Sequence, residues 1–253
     1  MRFEIRHRTT YTFDSPVFLE PHTLRLRPRT GPDQSVEAFR LSFDPQPAGL
    51  SEGLDFEGNH FEVAWFEGTT QSLMVELALT VHTAHANPFD YLILPAGLDP
   101  LPWTLTEPAA RPFLRRPVSP PDDPVARLAR DLADQTGSVV PFLTALNHTL
   151  HRTIAIDLRE DGDPFEPAHT LAIQHGSCRD LAVLFVDACR VVGVPARFVS
   201  GYQQGDPEQD RRYLHAWPEA WIPGAGWRGY DPTLGLVVAD AHVAVAAAAL
   251  SAN

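Results

Sequence analysis

The chain has 253 residues and a hydrophobic fraction of 44%, enough to bury a core in one large domain or two smaller ones. Its 32 acidic residues outnumber its 20 lysines and arginines, which gives a formal net charge of −12. Because such a surface repels phosphate groups, we expect neither nucleic acid nor a membrane as a partner. The sequence has no apolar run of membrane-spanning length and no signal-peptide pattern, so we expect a cytoplasmic protein with reduced thiols.

Residues 1–95 show the alternation of apolar and polar side chains that is typical of β-strands. Clusters of glycine, proline, aspartate and asparagine separate the alternating segments, as turns do. In one segment, regular alternation places Val36 on the opposite face of the strand from Phe39 and Leu41. Several short strands at this spacing predict a β-sandwich-like N-terminal domain.

Residues 96–123 are dense in proline and show no helical or strand periodicity. We interpret this segment as a linker. Its large apolar side chains include Trp103 and Phe113, and we expect these two to hold the segment against the protein surface.

Three helical segments follow the linker. The first begins after a capping aspartate, Asp122 or Asp123, and ends at Gly137. The second has apolar residues at helical spacing as far as Ile154. The third is short, and we expect it to end at Gly176.

A fourth helix begins at about Cys178, is apolar on most sides and ends before Gly193 and Pro195. Three alternating segments come next and predict successive antiparallel strands. From residue 241 onward the sequence is low in complexity and gives no further strand signal. The predicted fold class is therefore α+β, with an N-terminal β-sandwich-like domain followed by a core at residues 124–253, in which helices pack on an antiparallel sheet.

The chain has two cysteines, Cys178 and Cys189, and both fall on the fourth helix. With about 1.5 Å of rise per residue they lie roughly 16 Å apart, too far for a disulfide. Cys189 falls on the apolar stripe and is expected in the core. Cys178 lies at the helix start, where unpaired N–H groups and the helix dipole stabilise a thiolate and can bind an oxyanion. The alternative for Cys178 is a small buried residue without chemistry.

A nucleophilic thiol needs a base, and the base needs an orienting acceptor. His215 lies within one predicted strand and Asp231 at the end of the next. The turn between these strands is centred so that His215 faces a position near residue 234, and we expect a bulge or twist to bring it to Asp231. Taken singly, His215 could be a hydrogen-bonded strand histidine and Asp231 a turn-forming residue before proline. The order of thiol, histidine and aspartate favours a catalytic site.

Three segments, GSCRDLAVLFVDACRVVGVPARFVSGY, LHAWPEAWIPGAGWRGYDPT and LGLVVADAHVAVAAA, resemble the core of the bacterial transglutaminase-like superfamily. The segment RHRTTYTFDSPVFLEPHTLRLRPR resembles the β-rich domain that precedes this core in bacterial members. The resemblance covers nearly the whole chain and implies a papain-like core. It also implies that Cys178 is the nucleophile, His215 the general base and Asp231 its orienting partner.

By this resemblance the chain is a cysteine acyltransferase or cysteine protease that acts on glutamine side chains or peptide bonds of peptides and proteins. We expect Trp217 and Tyr202 to line the substrate site and Gln174 to donate to the oxyanion. We expect Asp180 to cap the helix of Cys178, with recognition of a substrate amine as the alternative. The family usually carries further strands after the last matching segment, so C-terminal strands of the core are expected to be missing.

Two other functions compete with this prediction. An inactive member of the same family would bind peptides or a partner without chemistry. Alternatively, His148, His151, His175 and Cys178 have ligand-like spacing and could form a zinc site. The acidic residues at 158–166 do not follow a calcium-loop pattern and are expected in a solvated loop. We therefore expect no cofactor and no metal, and the sequence carries no signal for an oligomeric state.

Overall fold

The computed structural model describes residues 1–105, 107–117, 120, 122–159, 161–205 and 213–249. A strand-rich N-terminal region precedes a region of mixed helices and strands, which confirms the predicted α+β class. Two compact units divide the described residues: the first holds 1–86, 201–205 and 240–246, and the second holds 87–200, 213–239 and 247–249.

A helix that crosses a bilayer would need a longer apolar stretch than any helix in the described residues provides.

Six strands build most of the first unit, where the alternating segments predicted them. They form two three-stranded antiparallel sheets with the orders β1-β6-β3 and β2-β5-β4. The strands are β1 (Arg2–Phe18), β2 (His22–Leu24), β3 (Gln34–Asp44), β4 (Gly49–Leu54), β5 (His60–Trp65) and β6 (Thr69–Thr83).

A β-bulge in β3 overturns one prediction of side-chain direction. The register between β3 and β6 shifts between Val36 and Ala38, so one extra residue is accommodated in β3. Val36 therefore packs on the same apolar cluster as Phe39 and Leu41, instead of facing the other side of the strand. Regular alternation gave the wrong face because a single inserted residue reverses the parity of the strand.

The elements after residue 86 begin with two 3₁₀ turns, Pro95–Gly97 and Pro108–Ala110. Five of the later strands form one sheet with the order β12-β11-β10-β9-β13. The helices and strands are α1 (Arg111–Leu114), α2 (Pro124–Thr136), α3 (Val139–Thr153), β7 (Ala155–Ile156), α4 (Pro167–Ile173), β8 (His175–Gly176), α5 (Cys178–Val191), β9 (Ala196–Gln203), β10 (His215–Ile222), β11 (Gly226–Asp231), β12 (Leu236–Val237) and β13 (His242–Ala248).

Two predictions in this region were wrong. Helix α4 ends at Ile173 instead of Gly176, because Gln174 takes the left-handed conformation at φ 55° and its N–H caps the helix. The next two residues form β8, which pairs in parallel with β7. The low-complexity tail forms β13, whose alternating valines and alanines are small enough to have hidden the strand pattern.

Helix α5 lies at the centre of the core of the second unit. Leu181, Leu184, Phe185 and Cys189 on this helix are fully buried, as its apolar surface predicted. The ring of Phe185 stacks on the ring of Tyr230 from β11 with a centroid distance of 5.6 Å. This packing fixes α5 against the sheet, so the start of the helix has a defined position relative to the strands.

The proline-rich segment belongs to the second unit and packs on its helices and strands. The backbone N–H of Trp103 donates to the carbonyl oxygen of Val192 at 2.9 Å. The ring of Phe113 lies edge-on to Trp227 at 4.8 Å. Arg116 forms a bidentate ion pair with Asp187 of α5, at 2.8 and 2.9 Å. The backbone hydrogen bond, the aromatic contact and the ion pair together hold this segment in place.

Replacing Gly193 by alanine should destabilise the second unit by about 3–4 kcal/mol. Gly193 has φ +75°, which costs a side chain about 1–2 kcal/mol, and a Cβ there would also overlap the carbonyl oxygen of Trp103. Gly137 has the same φ, but nothing lies within 4 Å of its Cβ position. Gly137→Ala should therefore cost only about 1 kcal/mol. Urea unfolding followed by tryptophan fluorescence measures both changes, and equal losses would contradict the contact with Trp103.

Candidate active site

Helix α5 begins with a closed capping box around Ser177. Its backbone N–H and its hydroxyl both donate to Oδ2 of Asp180, at 2.7 Å each. Asp180 is fully buried, and the predicted capping role of this residue is confirmed. Cys178 is consequently the first residue of the helix, where backbone N–H groups have no intrahelical acceptor.

The second carboxylate oxygen of Asp180 fixes the loop before α4. Its Oδ1 accepts hydrogen bonds from Nη2 of Arg159 at 2.6 Å and from the backbone N–H of Phe165 at 2.7 Å. The guanidinium of Arg159 also lies 4.1 Å from the ring centroid of Phe165. The prediction of a solvated loop at 158–166 is therefore wrong for Arg159 and Phe165. Burial alone would raise the pKa of Asp180, but these hydrogen bonds lower it.

Cys178 is half-buried, and its sulfur lies among hydrogen-bond donors. It contacts the side chain of His215 and the backbone N–H groups of Ala216 and Arg179. Burial opposes the charged form of the thiol, but the hydrogen bond and charge of His215, with the two N–H groups, lower its pKa overall. The second cysteine, Cys189, is fully buried, and burial raises the pKa of its thiol.

His215 and Asp231 lie on neighbouring strands and meet across them. Nε2 of His215 is 2.7 Å from Oδ2 of Asp231. The paired residues of β10 and β11 run from Ile222 with Gly226 to Glu219 with Gly229. His215 lies four residues before Glu219 and Asp231 lies two residues after Gly229, so both residues are beyond the last of these pairs. Their side chains bridge the offset that the turn position predicted, and a bulge or twist between the strands stays the expectation from the sequence.

The carboxylate of Asp231 is fully buried, and its other oxygen is also satisfied. Oδ1 accepts hydrogen bonds from the backbone N–H groups of Thr233 at 3.0 Å and Leu234 at 3.2 Å. Burial alone would lower the pKa of His215, but hydrogen bonds and charges from Asp231 and Cys178 raise it to about 10. Because Nε2 faces Asp231, Nδ1 is the ring nitrogen left for the sulfur. Each charged group therefore stabilises the other, which favours a thiolate together with an imidazolium.

The remaining predicted site residues have different surroundings. Trp217 is only 1% exposed, and its ring centroid lies 6.1 Å from that of His215. Gln174 is exposed and ends α4. Tyr202 belongs to the first unit, where its hydroxyl lies 2.9 Å from Nδ1 of His7.

The zinc alternative fails on geometry. In the part of the chain that the structure describes, the four proposed ligands His148, His151, His175 and Cys178 do not bring their ligand atoms together. Nδ1 of His175 contacts Asp157 at 2.8 Å, and Nδ1 of His151 faces two backbone carbonyls.

Two family models match the chain. The model described as "Bacterial transglutaminase-like N-terminal region" matches residues 3–82. The model described as "Transglutaminase-like superfamily" matches residues 126–232, a range that includes Cys178, His215 and Asp231.

The chain is similar to other proteins, over nearly its whole length in some matches and over a short segment in others. An uncharacterized protein of Mycobacterium tuberculosis is 26% identical over 96% of this chain and 82% of its own length. A "Protein-glutamine gamma-glutamyltransferase" of Pseudomonas aeruginosa is 40% identical over 65 residues, which are 23% of this chain and 10% of that protein. The solved structure of a "Putative Cysteine Protease from Cytophaga hutchinsonii" matches with a TM-score of 0.78 at 22% identity, over 100% of this chain and 83% of that one. This last likeness supports the fold.

Cys178 should react with iodoacetamide at pH 6 about tenfold faster than a small free thiol, because its lowered pKa keeps more of it as thiolate. Alkylation of a Cys189→Ala variant, followed by mass spectrometry across a pH series, isolates this reaction. His215→Asn should slow it about tenfold and move the profile to higher pH, because the partner cation is lost. Slow labelling of Cys178 that is indifferent to His215→Asn would contradict the ion pair.

Proposed function

Because the chain belongs to the transglutaminase-like superfamily, we propose that it is a thiol-dependent enzyme that acts on amide bonds of peptides or proteins. In this proposal Cys178 is the nucleophile, His215 is the general acid and base, and Asp231 orients His215 and stabilises its charge. One observation carries the proposal: the His215 ring contacts the sulfur of Cys178 and also lies 2.7 Å from the buried carboxylate of Asp231. A thiol, a base and an orienting acceptor are thus within reach of one another.

In the first half-reaction the thiolate of Cys178 attacks the carbonyl carbon of an amide. A carbon–sulfur bond forms, and the carbonyl electrons move to oxygen. When this tetrahedral intermediate collapses, the carbon–nitrogen bond breaks, and His215 gives its Nδ1 proton to the leaving nitrogen. The products are a thioester on Cys178 and either ammonia, from a glutamine side chain, or the amine end of a cleaved peptide.

The second half-reaction returns the sulfur to its resting state. Neutral His215 accepts a proton from water or from a substrate amine as that nucleophile attacks the thioester carbon. The carbon–sulfur bond then breaks and releases the thiolate. Water gives hydrolysis, and an amine such as a lysine side chain gives a new amide bond. Asp231 stays ionised throughout, because it is hydrogen-bonded to His215 and to two backbone N–H groups.

The oxyanion of each intermediate needs donors close to the sulfur. The start of α5 provides them in our proposal, because the N–H groups of the first helical turn point toward the site with the positive end of the helix dipole. The N–H of Cys178 is the first candidate. Gln174 remains a hypothetical second donor; it lies in the chain just before β8 and is exposed. This arrangement requires only groups of the chain itself.

The substrate class follows from the chemistry and from one relative. A thiolate attacks carbonyl carbon, so the proposed substrates are glutamine carboxamides and peptide bonds. The name of the Pseudomonas aeruginosa relative, a protein-glutamine gamma-glutamyltransferase, supports glutamine side chains as the acyl donor to test first.

Incubation of the protein with a library of glutamine-containing peptides should give products that mass spectrometry identifies. Exchange of ammonia for an added amine indicates cross-linking, conversion of glutamine to glutamate indicates deamidation, and backbone cleavage indicates proteolysis. Cys178→Ser should reduce any of these activities at least about a thousandfold. Cys189→Ala is the matched control and should keep activity, because Cys189 lies in the core.

An inactive, peptide-binding protein would give a different set of results. The wild-type chain would bind peptides without chemical change, and Cys178→Ser would bind them equally well. If Cys178 is reactive toward iodoacetamide and this outcome is still obtained, the proposed enzymatic function is overturned.

A further inference from the structure

The turn that follows Asp231 determines where its carboxylate points. Oδ1 accepts hydrogen bonds from the backbone of Thr233 and Leu234, so the side chain is fixed relative to this turn and not only to its own strand. Leu234 is 40% exposed and Leu236 is 56% exposed, which places the turn at the protein surface. A surface turn with few apolar contacts is expected to move unless another element holds it.

Helix α3 holds the turn through His151. Nδ1 of this residue lies 3.3 Å from the carbonyl oxygen of Pro232 and 3.2 Å from that of Thr233. Carbonyl oxygens only accept hydrogen bonds, so Nδ1 carries the proton and donates. The ring also packs closely on Gly235, which has φ +70°; a Cβ there would lie 2.7 Å from Cδ2 of His151.

A second residue of the same helix face holds the end of the turn. Asn147 precedes His151 by one helical turn, so their side chains share a face. The Asn147 side chain is 1% exposed, and its Nδ2 donates to the carbonyl oxygen of Leu236 at 3.1 Å. Leu236 is the residue that pairs with Asp231 between β11 and β12. The turn that orients the carboxylate is therefore tied to α3 near both of its ends.

We propose that Asn147 and His151 are positioning residues for the His215–Asp231 pair. These two residues hold the backbone of residues 232–236, and that backbone donates hydrogen bonds to Oδ1 of Asp231. Because Oδ1 is fixed in this way, Oδ2 faces Nε2 of His215. Because Asp231 stabilises the charged form of His215, a looser turn weakens the imidazolium and, through it, the thiolate of Cys178. This inference rests on the proposed function of the three residues. Neither Asn147 nor His151 touches the sulfur or the reacting carbonyl in this scheme.

Two substitutions at His151 separate positioning from mere stability. The amide nitrogen of asparagine lies near the place of Nδ1 in histidine, whereas that of glutamine reaches the place of Nε2. In a Cys189→Ala background, His151→Gln should therefore lose the donor to the turn, and His151→Asn should keep it. The measurement is the pH profile of Cys178 alkylation by iodoacetamide, with the Tm of each variant recorded alongside.

His151→Gln should slow alkylation at pH 6 about three- to tenfold and move the profile to higher pH, as expected for one lost hydrogen bond. His151→Asn should stay close to the parent protein. Asn147→Leu, which removes the other donor at similar volume, should change the profile in the same direction as His151→Gln. A folded His151→Gln variant with the parent profile would overturn the inference, as would equal effects of the asparagine and glutamine variants. An ordinary thiol profile in the parent protein itself would overturn the proposed function and this inference together.

Discussion

The buried carboxylate of Asp231 is the constraint on which the rest of the site depends. A buried charge is costly unless it is paired and hydrogen-bonded, and Asp231 meets both conditions through His215 and two backbone N–H groups. This negative charge, together with Cys178, raises the pKa of His215 to about 10 even though burial of the ring opposes its charged form. The imidazolium that results stabilises a thiolate at Cys178. The carboxylate of Asp231 thus determines both the orientation of the imidazole and the charge that acts on the sulfur.

A second buried carboxylate, Asp180, fixes the start of helix α5. It closes the first turn of α5 through Ser177 and binds Arg159 and the backbone of Phe165. The start of the helix is therefore rigid where Cys178 is attached, and its N–H groups stay directed at the sulfur and the proposed oxyanion. Two anchored carboxylates fix the two halves of the site, one on the helix and one on the sheet. Such preorganisation lets electrostatic stabilisation act without a cost of rearrangement during reaction.

Local signals in the sequence were sufficient to place Cys178 at a helix start and His215 and Asp231 on successive strands. Capping residues, apolar periodicity and alternation each act over a few residues, and those predictions rest on them. The contact of His215 with Asp231 depends on how β10 and β11 are paired, and the position of the turn alone did not predict that pairing. The contacts of Arg159 with Asp180 and of His151 with the turn after Asp231 join segments 21 and 81–82 residues apart. No periodicity marks such pairs. The bulge in β3 was missed because the sequence pattern does not show an inserted residue. The strand in the alanine-rich tail was missed because its residues differ too little in hydrophobicity to show an alternating pattern.

The protonation state of His215 in the resting protein tests the proposed ion pair directly. Nitrogen-15 NMR of histidine-labelled protein, with His215 assigned by its loss in His215→Asn, reports whether one or both ring nitrogens carry a proton. We expect His215 to hold both protons at pH 8, since its pKa is raised to about 10, and we expect Cys178→Ala to lower this pKa because the thiolate is removed. A neutral His215 at pH 8, titrating like an exposed histidine and insensitive to Cys178→Ala, would contradict the ion pair from which the proposed chemistry follows.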